Sequence, residues 1–267
     1  MNHFYRLPAS SPASDIIQYC WEVQHRYPQP VRERILPKGT LELMFHFDGS
    51  ARREVAGAPQ IVSRCFLNGF NSQPLSVQLA GAHHLFGIVL QPAASRSLLR
   101  TPVLEFADAC LDATLLDPYF DQLWHRLAAA ANFADRVALG CSWLLGRSAE
   151  LSPRERALNN FLTDDRNLLW TVDGLSKHLC YSTRQTARQL RALTGRNTEE
   201  TLLFRKYLHA LNQVHSSDDS LTAIAYESGF SDQAHFIRTF RASTGMTPGA
   251  YRRRRSHLPG HLFEDVR

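Results

Sequence analysis

Between Thr40 and Gly49 the chain reads TLELMFHFDG, with Leu41, Leu43, Phe45 and Phe47 at every second position and Glu42, His46 and Asp48 among the intervening ones. A period of two places the apolar set on one side of an extended chain. The stretch therefore predicts a half-buried strand, closed by a turn at Asp48-Gly49. PKGT at 37–40 predicts a turn before it, and NGF at 68–70 one after the apolar run IVSRCFL. LFGIVL at 85–90 is apolar on both faces and stops just before Pro92. Short strands separated by Gly, Pro and Asn turns predict a sandwich or small barrel.

From about residue 118 the period lengthens to that of a helix. PYFDQLWHRLAAAA and ADRVALGCSWLLGR predict two helices that finish a first domain. SAELSP at 148–153 reads as a linker, with Pro153 suited to the first turn of the next helix. The expected class is α+β in two domains. Residues 1–150 form a β-rich domain with trailing helices, and residues 151–267 an all-helical domain.

That second domain writes one element twice. Positions 188–195 read RQLRALTG and positions 238–245 read RTFRASTG. Around the later copy, Ser220 can cap a helix whose Leu221, Ile224 and Ala225 share a face, and Gly229 ends it. Ser231 or Asp232 caps a second helix, with Phe236 and Phe240 one turn apart and Gly245 at its end; Thr247-Pro248 opens a third. The earlier copy follows the same plan. Thr171 caps a helix with Val172, Leu175 and Leu179 inward, and Ser182 caps a second with Ala187 and Leu190 inward and Gly195 at its end. TEETLLFRKYLHALNQV predicts a long helix joining the copies. Two short helices with a tight turn make a helix-turn-helix unit, here at 171–195 and 220–245. The outward faces carry Thr183, Arg184 and Arg188 in one unit and Asp232, Gln233, His235 and Arg238 in the other. A Gln amide can pair with adenine in two places, and an Arg can do so with guanine or hold a phosphate. Two such helices roughly 34 Å apart would read successive major grooves from one side of a duplex. On the residues alone these faces could also be solvated helix surface; the duplication favours DNA reading.

Charge sharpens this picture. Residues 1–150 hold 13 Lys/Arg and 13 Asp/Glu, whereas residues 151–267 hold 17 and 12, so the whole excess of +5 lies in the helical half. A basic excess suits phosphate binding. With 267 residues and 44% hydrophobic composition, the chain has enough material for two cores. No apolar run is long enough to span a bilayer, and the N-terminal MNHFYRLPASSPASD lacks the pattern of a secretory signal, so a cytoplasmic protein is expected. Five cysteines, Cys20, Cys65, Cys110, Cys141 and Cys180, are widely spaced without a CxxC, which predicts reduced thiols rather than a disulfide framework or zinc site.

Residues 220–253, SLTAIAYESGFSDQAHFIRTFRASTGMTPGAYRR, resemble the second helix-turn-helix of the AraC/XylS family of transcription regulators. The likeness rests on Ile224-Ala225, Gly229-Phe230-Ser231, Phe236-x-Arg238-x-Phe240, Gly245-Met246-Thr247-Pro248 and Tyr251-Arg252. The first unit keeps Leu175, Ser182, Arg188 and Gly195. It departs at Ser176 for a usual Ala, Cys180 for the turn Gly, Thr186 for an apolar residue and Leu190 for Phe. The resemblance covers about residues 155–255. It places base-reading positions at Thr183, Arg184, Ala187 and Arg188, and at Asp232, Gln233, Ala234, His235 and Arg238. It implies a double-stranded DNA partner, contact with RNA polymerase and most often activation. LPKGTLELMFHF and GIVLQPAA resemble cupin-like sensor barrels of this family, which implies a small-molecule effector or a homodimer. No residue here can be assigned to an effector.

The competing reading for residues 1–115 is a cupin-type metal enzyme using His46, His83 and His84. Adjacent His83 and His84 on a strand point to opposite faces, so only one could line a barrel. GxSxG, HExxH and phosphate-binding Gly loops do not occur. The expectation is a protein with no catalytic residues, no metal and no cofactor. A helical half that binds protein instead of DNA is the other alternative. Arg252 to Arg255 read equally as added phosphate contacts or as a fraying tail.

Overall fold

The computed structural model describes residues 2–49, 51–55, 58–99, 103–164 and 168–266. Two long strands organise the first half. β1 (Asn2–Arg6) lies beside β2 (Ile17–Ile35), and β2 runs antiparallel to β7 (Leu75–Leu90) from Ile17↔Leu90 to Ile35↔Leu75. Their register shifts between Tyr27 and Val31, where Pro28 and Pro30 can donate no ladder hydrogen bond. The shift divides the pair. On one side of it β7 holds β3 (Leu41–Asp48), and β3 holds β6 (Cys65–Asn68) and then β8 (Cys110–Asp112). On the other side β7 holds β4 (Ala51–Val55), which pairs with β5 (Ala58–Ile61).

The sheet path is β1-β2-β7-β3-β6-β8, and among the described residues its two ends do not pair. The expected barrel is thus an open, bent sheet. Leu41, Leu43 and Phe45 enter its core as the alternation predicted, but Glu42 and His46 are buried too. β3 is covered on both faces, which a period of two cannot reveal. α1 (Pro92–Leu99) follows the sheet, and α2 (Tyr119–Ala129) and α3 (Phe133–Leu145) close the core with Phe120, Leu123, Leu127, Trp143 and Leu144.

The helical half begins with α4 (Pro153–Thr163), where Ser152 and Glu155 cap each other's backbone around Pro153. α5 (Val172–His178) and α6 (Thr183–Thr194) form the first unit, and α7 (Thr198–Ser216) is the predicted joining helix. α8 (Leu221–Glu227) and α9 (Gln233–Thr244) form the second, followed by α10 (Pro248–Arg254). Each unit has its own core, Leu158, Phe161, Leu175, Leu190 and Leu193 in one and Tyr207, Ile224, Phe236, Phe240 and Tyr251 in the other. Each core also takes in the first half, through Ala93 in the former and Leu36 in the latter.

The chain ends on an element the sequence did not announce. β9 (His261–Asp265) returns to the first half and pairs with β2 from Val31↔Asp265 to Ile35↔His261. Three of the four arginines before it are engaged. Arg252 donates to the Asp219 carbonyl, Arg254 pairs with Glu264, and Arg255 meets Asp218 and the Val214 and Ser217 carbonyls. Arg254 ties α10 to the return strand, and Arg252 and Arg255 tie it to the end of α7 and the segment after it. Among the described residues no helix is long and apolar enough to cross a membrane.

Candidate nucleic-acid interface

The two units share one turn geometry down to single hydrogen bonds. In the second, Gly229 sits at φ +76°, its N–H donates to the Tyr226 carbonyl, and the Phe230 N–H donates to Ala225. In the first, Cys180 takes the same role at φ +51°, with its N–H on Lys177 and the Tyr181 N–H on Ser176. The left-handed region favours glycine because a Cβ is crowded there. Cys180 therefore adopts the turn at a cost that Gly229 avoids. The copies then diverge in length: α6 starts three residues after Cys180, α9 four after Gly229. From that point they run in step for twelve residues each, to Gly195 and Gly245, both left-handed.

Because the second turn is one residue longer, structural equivalence follows an offset of fifty. Thr183 corresponds to Gln233, Arg184 to Ala234, Ala187 to Ile237, and Arg188 to Arg238. Thr183, Arg184 and Arg188 are exposed and Ala187 half-buried on α6; Ala234 and Arg238 are exposed and Gln233 and His235 half-buried on α9. The structure thus gathers four expected residues on each of the two helices.

Asp232 is placed differently. It is the N-cap of α9, with its carboxylate accepting from the His235 N–H at 2.7 Å and from the Ser231 hydroxyl at 3.2 Å. The backbone hydrogen bond from His235 holds its pKa below the usual carboxylate range, so it stays charged. A carboxylate fixed on its own helix end acts first as a cap and repels phosphate. His235 is oriented from two sides, by the Ser231 hydroxyl at 3.2 Å and by the edge of Phe230 at 5.3 Å between ring centroids. Gln233 receives the Thr222 hydroxyl on Oε1 at 2.9 Å, which aims its amide and leaves the NH2 group as its donor.

Spacing had not singled out Arg191 and Arg241. Both are exposed, one turn beyond Arg188 and Arg238, at equivalent positions of α6 and α9. The repeated R-x-x-R in RQLRALTG and RTFRASTG was the signal for them. Each recognition helix therefore presents a pair of guanidinium groups in line. Arg188, Arg191, Arg238 and Arg241 are all exposed, and Arg96 of α1 reaches α6 at Gln189 instead of at this arginine row.

The histidines considered for a metal are spent on each other and on carboxylates. His46 Nε2 lies 3.2 Å from His83 Nδ1 with the rings stacked, and His84 Nε2 lies 2.6 Å from Glu22 Oε1. His83 and His84 do point to opposite faces. Burial, then the neighbouring His83, pushes the His46 pKa down to about 4. Among the described residues no three His, Cys, Asp or Glu side chains cluster as metal ligands would.

Comparison with known proteins places both halves. Residues 175–254 match the model of a helix-turn-helix domain, and residues 5–112 that of a domain of unknown function (DUF6597). The HTH-type transcriptional activator RhaS of Citrobacter koseri is 31% identical over 113 residues, which are 39% of this chain and 41% of that protein. RhaS of Pectobacterium atrosepticum is 35% identical over 79 residues, 30% of this chain and 28% of its own length. The chain spans less than half the length of these relatives. Among solved structures, ToxT from Vibrio cholerae aligns over 87% of this chain and 97% of its own, at 13% identity and a TM-score of 0.47.

Proposed function

From the match of residues 175–254 to a helix-turn-helix domain and the likeness to RhaS activators, we propose that the chain is a member of the AraC/XylS family and a sequence-specific DNA-binding transcription activator controlled by a small-molecule effector. The observation that carries this reading is the pair of matched units, each presenting two exposed arginines one turn apart on its second helix. Arg184, Arg188, Gln233 and Arg238 carry sequence recognition, with Thr183, Ala187, Ala234 and His235 beside them. Asp232 contributes by fixing the start of α9. Arg191 and Arg241 hold phosphates and fix register without reading sequence. Residues 1–150 sense the effector or dimerise, and residues 151–267 bind the duplex in the cytoplasm and contact RNA polymerase. The reading assigns no catalytic step and no cofactor.

The test is selection of duplexes from a random library, followed by binding with unselected duplex as competitor across a salt series. The reading requires a selected sequence that survives competition. Arginine-to-alanine changes at 191 or 241 should weaken selected and random duplexes alike and lower the salt slope by about 1 each. Binding without sequence preference at any salt would reject the reading.

A further inference from the structure

Away from the DNA face, the first half carries an open polar cleft of about 540 Å³. Arg32 of β2, Arg53 and Glu54 of β4, Asn71 of the loop after β6, Ser76 of β7 and Asp108 line it. Two of these are already fixed. Arg53 donates to the Asp108 carbonyl at 2.6 Å, and the Asp108 carboxylate accepts from the Ser72 N–H and hydroxyl at 2.6 Å each. Two others carry an atom without a hydrogen bond. Arg32 Nε stands 3.9 Å from Glu54, beyond hydrogen-bond reach, and has no hydrogen bond among the described residues. Asn71 is only 8% exposed, yet its Oδ1 has none either. A buried amide oxygen without a donor is costly, so such a group marks a place where a donor is missing.

The missing groups define a chemistry. The guanidinium of Arg32, with the charge of Arg53 on the same cleft, suits a carboxylate, which a planar fork can hold through paired hydrogen bonds. The Asn71 oxygen calls for an N–H donor, and Glu54, which meets Arg32 only at 3.9 Å, favours a charged one. A molecule with both ends close together, and little apolar surface for a wall this polar, is an α-amino acid. The cleft also touches the DNA-binding half through one strand. Arg34 lies two residues after Arg32, on the same side of β2, and pairs directly across from Ser76. Its Nη2 donates at 2.8 Å to the carbonyl of Thr244, the last residue of the second recognition helix.

We propose that this cleft binds a free α-amino acid, carboxylate toward Arg32 and Arg53 and ammonium toward Glu54 and Asn71, and that β2 relays its occupancy through Arg34 to α9. The relay rests on the regulator reading; the binding site does not. The common L-amino acids, each offered alone to the full chain, are the probes, read by calorimetry and by thermal shift. One amino acid or a chemically related subset should bind once per chain. Arg32→Ala and the milder Arg53→Lys should each weaken it about tenfold or more, with circular dichroism and random-duplex binding unchanged as controls for folding. In the wild type, the ligand should change affinity for a selected duplex at least about fivefold. Arg34→Ala should keep ligand affinity and lose that change. No amino acid binding while a selected duplex binds overturns the site and leaves the regulator standing. Binding that survives Arg32→Ala and Arg53→Lys puts the ligand elsewhere and also overturns it. Amino acid binding without any duplex binding supports the site and overturns the relay, and coupling retained in Arg34→Ala overturns the route through β2.

Discussion

The two units differ most at single residues, and those differences have energetic consequences. Cys180 occupies a left-handed turn, and Thr186 is fully buried with its hydroxyl unpartnered where the second unit places Phe236. Cys180→Gly removes the Cβ crowding and should stabilise the chain by about 1 kcal/mol. Thr186→Val keeps the shape, removes the orphaned hydroxyl and should add about 1 kcal/mol; both would appear as higher urea midpoints. Gly229→Ala should do the opposite. In the first half the stacked His46–His83 pair predicts acid sensitivity. Both pKa values are lowered by burial, so the folded state favours neutral rings. That stability is present above the ordinary histidine value of 6.5 and is lost as pH falls toward about 4. The melting temperature should drop across that window, and His46→Gln should flatten the drop. An unchanged slope in His46→Gln would place the acid sensitivity in other groups.

At the scale of elements, sequence pattern read best where one segment carries its own signal. Ser220, Thr171, Ser182 and Thr247 cap the helices they were expected to cap, because an N-cap is a local hydrogen bond. The choice between Ser231 and Asp232 depended on the extra turn residue of the second unit, and the structure gives Asp232. The outward faces of α6 and α9 were legible for the same reason: helical spacing fixes which residues share a side. β2 was not legible, since Pro28 and Pro30 mark a break by local rules and the bulge that absorbs them exists only beside β7. β9 was hidden too, because HLFED forms a strand only where β2 offers an edge. The recognition helices yield a sharp test at Gln233. Gln233→Ala should cost roughly 1–3 kcal/mol on a selected duplex and little on random DNA. Equal losses on both would make Gln233 a positioning group.

Across the whole molecule, the second unit is held by the sheet as well as by its neighbours. Leu262 of β9 is buried in its core beside Leu36, the Tyr207 hydroxyl donates to the Pro37 carbonyl, and Arg34 holds the end of α9. Lys38, His261 and Glu33 form a hydrogen-bonded chain across the same joint, each step 2.5 Å long. Leu262→Asp would bury a charge there and should lower stability by several kcal/mol, with loss of selected-duplex binding before loss of the sheet in a thermal scan read by both signals. Simultaneous loss would mean the halves unfold as one body. If α6 and α9 read one duplex together, a footprint on a selected duplex shows both contacts at once. Protection should extend over about two helical turns, with Arg188→Ala losing one end and Arg238→Ala the other. Protection confined to one turn, or a footprint indifferent to both changes, would contradict it.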